Sequence, residues 1–65
     1  MKKLLKIYGF DSKLQYYEMI LESVVNGQIS QSRDQFNSMP KVNKFEFICH
    51  MNLTERQKNA FIMYL

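Results

Sequence analysis

The sequence predicts an all-α protein: a compact bundle of three to four short helices preceded by a short N-terminal arm. Two observations carry that expectation. Between Tyr16 and Phe47, apolar stretches with helical spacing are separated by Asn26-Gly27 and by Met39-Pro40. Glycine supplies a left-handed helix end, and proline starts a helix but cannot continue one. Further on, Thr54-Glu55-Arg56-Gln57 has the form of a capping box, in which Thr and Gln satisfy each other's free backbone N–H groups. Residues 1–10 read as a basic, apolar arm and residues 11–65 as the bundle.

The arm is the least determined element. Leu5-Lys6-Ile7-Tyr8 alternates weakly before Gly9, so a strand or extended segment competes with a helix there. Asp11 or Ser12 is the expected cap of the next helix. In that helix Leu14, Tyr17, Leu21, Val24 and Val25 make the main apolar stripe. Ile20 widens it, and Glu18 and Glu22 mark the wet side. Tyr16 and Met19 lie off the stripe. Asn26-Gly27 ends the helix, and the following one starts near Ser30, with Ile29 packing ahead of its cap. Its apolar positions are sparse, Ile29, Phe36 and Met39, and Arg33 shares their side. Pro40 sits in the first turn of the next helix, where Val42, Phe45, Ile48 and Cys49 form one stripe and Phe47 with Met51 a second. A break at Asn52-Leu53 precedes the last helix, which carries Ala60, Phe61, Tyr64 and Leu65. Phe36, Phe45 and Phe61 are the expected core aromatics.

At 65 residues the chain buries only about 60% of the surface its unfolded form exposes. No covalent staple is available. Cys49 is the single cysteine, and one Cys with one His falls short of the four ligands of a structural zinc site. Yet 46% of the residues are apolar, which is rich for a chain this small and points to self-association or a protein partner. The residues off the main stripes, Tyr16, Met19, Phe47 and Met51, are the candidate contacts.

Charge is uneven. Lys2, Lys3, Lys6 and Lys13 face only Asp11 in the first thirteen residues, and the remainder is balanced, so the whole net charge of +3 sits at the N-terminus. A duplex-DNA reader needs basic groups along one face, so nucleic acid is the lesser expectation. Lys2, Lys3, Lys6 and Tyr8 are instead expected to steer the arm toward an acidic, partly apolar protein groove. The plainer alternative is that these lysines keep an apolar N-terminus soluble.

Catalytic chemistry has little to stand on. Cys49 and His50 are neighbours on a helix and point about a hundred degrees apart, so they form no dyad. Cys49 reads as a small buried hydrophobe and His50 as a surface residue. Glu18 and Glu22 lack a third ligand in phase. Two glycines cannot make a glycine-rich phosphate loop. The expectation is a non-enzymatic protein without a metal or cofactor. Lys6 and Gly9-Phe10-Asp11 interrupt the N-terminal apolar run, which therefore lacks a secretory core. No stretch approaches transmembrane length, so a cytoplasmic location without membrane contact is expected.

The segment VVNGQISQSRDQFNSMPKVN resembles one pentatricopeptide repeat, a helical hairpin found in RNA-binding arrays. The resemblance rests on the Asn26-Gly27 turn and on Phe36, Met39 and Pro40. Arg33 departs from it, standing where the repeat prefers a small residue, and a single repeat builds no array. No RNA-reading residue is therefore carried over. From Tyr16 to Leu65, the pattern YYEMI, NGQ, QF and MPK is similar to that of small phage accessory proteins. That resemblance implies a protein acting by binding, often on a host protein or defence component. The alternative expectation is a small nucleic-acid-binding regulator.

Overall fold

The computed structural model describes residues 1–65, and its elements are all helical: α1 (Lys2–Tyr8), α2 (Lys13–Val25), α3 (Ile29–Asn37), α4 (Lys41–His50) and α5 (Glu55–Ile62). The radius of gyration is 10.8 Å, against about 11 Å for a folded domain of this length. The all-α expectation holds, with one helix more than expected.

The extra helix is α1. Residues 1–10 form neither a strand nor an extended arm. Lysine and leucine are good helix formers, and Gly9-Phe10 closes the segment with a Schellman motif. Gly9 is left-handed at φ 72°. The N–H of Phe10 donates to Leu5 O at 2.8 Å, and that of Gly9 to Lys6 O at 3.3 Å. Met1, Leu4, Leu5 and Phe10 pack against the core, half-buried.

The same motif ends α2. Gly27 has φ 78°, and the N–H groups of Gln28 and Gly27 donate to Ser23 O at 2.8 Å and Val24 O at 3.1 Å. A Cβ at Gly27 would meet no atom within 4 Å, so its cost is purely conformational. Gly27→Val is expected to destabilise by about 1–2 kcal/mol, read as a lowered melting temperature. An unchanged melt would contradict the left-handed assignment.

Ser12 caps α2. Gln15 Oε1 accepts from the Asp11 N–H at 2.6 Å and the Ser12 N–H at 3.1 Å, a return contact overlooked in the sequence. α3 begins at Ile29 itself, one residue earlier than expected. Pro40 lies just ahead of α4 as its cap residue, not inside the first turn. The Thr54 box forms as expected: Gln57 N–H donates to Thr54 Oγ1 at 3.2 Å and Thr54 N–H to Gln57 Oε1 at 2.9 Å.

The core is an aromatic cluster drawn from four helices. Phe47 of α4 lies against Tyr17 of α2 (ring centroids 5.6 Å apart), Phe36 of α3 (5.8 Å) and Phe61 of α5 (5.5 Å). Phe36 and Phe61 are 4.8 Å apart. Tyr16, Ile20, Met39, Ile48 and Leu53 complete the buried set.

This packing corrects several expectations. Phe45 is not a core residue, being 47% exposed, whereas Phe47 is fully buried. The α2 stripe is rotated as well: Tyr16, Tyr17, Ile20 and Ser23 face inward, while Leu14 and Val25 face out. Cys49 is exposed and not a buried hydrophobe. Ile29 is more exposed than a residue packed ahead of a cap would be.

Candidate functional site

The expected contact residues fall into four groups. Tyr16 and Phe47 are fully buried. They are core residues and not partner contacts, contrary to the expectation from their place off the main stripes. Lys2, Lys3 and Lys6 are exposed on α1, and none of them forms an ion pair or a side-chain hydrogen bond. Met51 is partly buried and borders a shallow groove with Leu14, Tyr17 and His50. Tyr8 and Met19, remote in sequence, come together at the rim of a different feature.

That feature is a cavity of about 350 Å³ between α2 and α3, the pair of helices in most extensive contact. One wall is a stripe of α2: Met19, Glu22, Ser23 and Asn26, spaced i, i+3, i+4 and i+7 so that they share a face. Gln31, Asp34, Gln35 and Ser38 repeat that spacing on the α3 side, with Gln28 at its start. Tyr8 of α1 also lines it. The Tyr8 ring centroid is 5.9 Å from Phe10 in a stacked pair and 5.5 Å from Tyr16 edge-on. The sequence signal was present in the two polar stripes, which looked like ordinary solvated faces.

Beneath the cavity lie two buried polar side chains, Ser23 and Gln35, each 5% exposed. The Ser23 hydroxyl shares its proton between two acceptors, Met19 O at 3.1 Å and Gln35 Oε1 at 3.0 Å. The Gln35 backbone carbonyl accepts from the Tyr16 hydroxyl at 2.6 Å. That carbonyl needs the bond: its expected donor, the Met39 N–H, turns to Phe36 O at 3.2 Å instead. Tyr16 thus satisfies an orphan carbonyl at the end of α3. Burial, with Tyr8 nearby, pushes the Tyr16 hydroxyl up to about 12.

A second polar network ties α2 to α4. Lys13 Nζ reaches both carboxylate oxygens of Glu46, at 2.8 and 2.9 Å. Tyr17 O–H donates to Glu46 Oε1 at 2.7 Å and accepts from Asn43 at 3.1 Å. The hydrogen bonds from Lys13 and then Tyr17 hold the Glu46 carboxyl below its usual range. Burial pushes the Tyr17 hydroxyl up to about 12. Lys13, Tyr17, Asn43 and Glu46 each have a partner at this junction, so it reads as a helix clamp.

No three of the His, Cys, Asp and Glu side chains converge to hold a metal ion. No helix is long and apolar enough to cross a membrane. No protein family, curated protein or solved structure matches the chain.

Proposed function

We infer that the chain is a non-enzymatic interaction protein whose docking face is the outer side of α1, and whose partner is an acidic, partly apolar protein surface. The supporting observation is the division of α1. Leu4 and Leu5 turn toward the core, while Lys3, Lys6 and Ile7 line one shallow outward depression. Ile7 is 75% exposed, flanked by lysines spaced one turn apart. An apolar anchor within an unpaired basic rim complements an acidic groove: the lysines raise the association rate and the anchor slows release. The resemblance to phage accessory proteins makes a host or defence protein the expected target. The single free thiol, Cys49, suits a reducing, cytoplasmic compartment.

The test is a triple variant, Lys2→Gln, Lys3→Gln and Lys6→Gln, with Ile7→Ala as its companion. A pull-down from native cells identifies the partner. The triple variant is expected to keep its melting temperature, slow association about tenfold or more at low salt, and flatten the salt dependence. Ile7→Ala is expected to speed dissociation. Unchanged association of the triple variant would leave the lysines as a solubilising fringe. Retention of nucleic acid with a steep salt dependence would favour the nucleic-acid regulator instead.

A further inference from the structure

The outward line of α4 is apolar. Val42, Phe45 and Cys49 stand at i, i+3 and i+7 on that helix, so they share one stripe. The opposite side of α4 carries the buried Phe47 and Ile48. Val42 is 73% exposed and Phe45 47%, and Cys49 is exposed as well. The helix is thus apolar toward the core and toward solvent at once. The two flanks of the outward stripe are charged, one sign to each. Lys41 borders the Phe45 side, is exposed, and takes no part in an ion pair or a side-chain hydrogen bond. Glu46 borders the other side, with its side chain 30% exposed.

These flanks select what can cover the stripe. Two helices pairing in parallel bring the flanking residue ahead of the stripe against the opposite flank of the other helix, five positions further on. Lys41 and Glu46 have that separation, so one copy of α4 complements another. Antiparallel pairing about the middle of the stripe would set Glu46 against Glu46, a repulsive contact. Lys13 and Tyr17 already hold Glu46 from α2, which fixes it on its flank. A carboxylate has about four acceptor sites, so room for a second lysine is left.

We propose that α4 pairs in parallel with the α4 of a second copy of this chain. Val42, Phe45 and Cys49 pack on their counterparts across a two-fold axis, and Lys41 of each copy bonds Glu46 of the other. α4 has 10 residues, about 15 Å of helix, so the contact is small and the dimer dissociates readily. The surface shares no residue with the lysine face of α1, so either reading can fail without the other.

The first experiment is sedimentation equilibrium of the whole chain under reducing conditions, from about 10 μM to 1 mM. A monomer–dimer equilibrium is expected. Phe45→Asp places a charge in the stripe and is expected to weaken the dimer more than tenfold. Lys41→Glu sets like charges on facing flanks and is expected to weaken it about tenfold. Both positions are exposed, so both variants are expected to fold, as circular dichroism would register. Cys49 then reads the direction of pairing. In the parallel dimer the two thiols face each other, and oxidised glutathione is expected to join them. Its S–S bond breaks, the two cysteines give up two protons and two electrons, and two reduced glutathiones leave. In an antiparallel dimer Cys49 lies opposite Val42, and the thiols are about 10 Å apart along the axis, too far for a disulfide. Crosslinking is expected to be tenfold or more slower in Phe45→Asp. A monomer across the whole range would overturn the proposal, as would a dimer indifferent to Phe45→Asp. A dimer that fails to crosslink at Cys49, or that ignores Lys41→Glu, would overturn the parallel arrangement.

Discussion

Phe47→Ala is expected to leave the chain largely unfolded at 25 °C. The side chain is fully buried and meets an aromatic ring from each of three other helices. Truncating a buried phenylalanine costs about 3–5 kcal/mol, the transfer term plus the cavity left behind. A domain of this size has in total roughly 3–10 kcal/mol. Loss of the helical circular dichroism signal and of a cooperative melt would be the result. Phe45→Ala is the matched control: at 47% exposure it is expected to cost less than about 1 kcal/mol. A Phe47→Ala chain that stayed folded but lost its partner would return Phe47 to an interface.

Tyr16 is expected to show the second-largest effect, in two separable parts. Tyr16→Ala removes a fully buried ring and is expected to cost about 3–5 kcal/mol. Tyr16→Phe keeps the ring but strips the Gln35 carbonyl of its only donor, at about 1–3 kcal/mol. The phenol also gives a pH signature. An exposed tyrosine ionises near pH 10, and burial lifts this one to about 12. A folded-state value raised above the unfolded one means full stabilisation below about pH 10, lost as pH climbs toward 12. Thermal melts across that window are expected to fall more steeply for the native chain than for Tyr16→Phe. Parallel curves would mean the hydroxyl is not held as the geometry places it.

The breaks between α2, α3, α4 and α5 were legible because each rests on chemistry confined to a few residues. Gly27 is the left-handed stop, Pro40 cannot continue a helix, and Thr54 with Gln57 builds a local box. What the sequence could not settle was which way each helix faces. Apolar residues cover more than half the circumference of α2 and α4, and periodicity cannot choose a hundred-degree sector from a face that wide. Hydrogen bonding made the choice in α2. The Tyr16 and Tyr17 hydroxyls find Gln35 O and Glu46, so both rings could turn inward with their polar ends satisfied. In α4, Phe47 won over Phe45 because it alone meets aromatics from α2, α3 and α5. α1 stayed open between helix and strand because two turns of helix and a short alternating run look the same in seven residues. The cavity was harder still, since its residues come from three helices and each is unremarkable alone. Only the fold makes a floor of Gln35 and walls of Glu22 and Asp34.

The division between α1 and the aromatic cluster has a dynamic consequence. Helices α2 to α5 each contribute a ring to the cluster, so none can leave without opening the rest. α1 contributes no buried side chain and meets the core through half-buried Leu4 and Leu5 and the Tyr8 ring against Tyr16, with Met1 and Phe10 at its two ends. The molecule therefore has two levels of opening: a low-energy detachment of the first helix, and a global transition for everything else. A partner gripping the lysines of α1 pulls on the element that is cheapest to release.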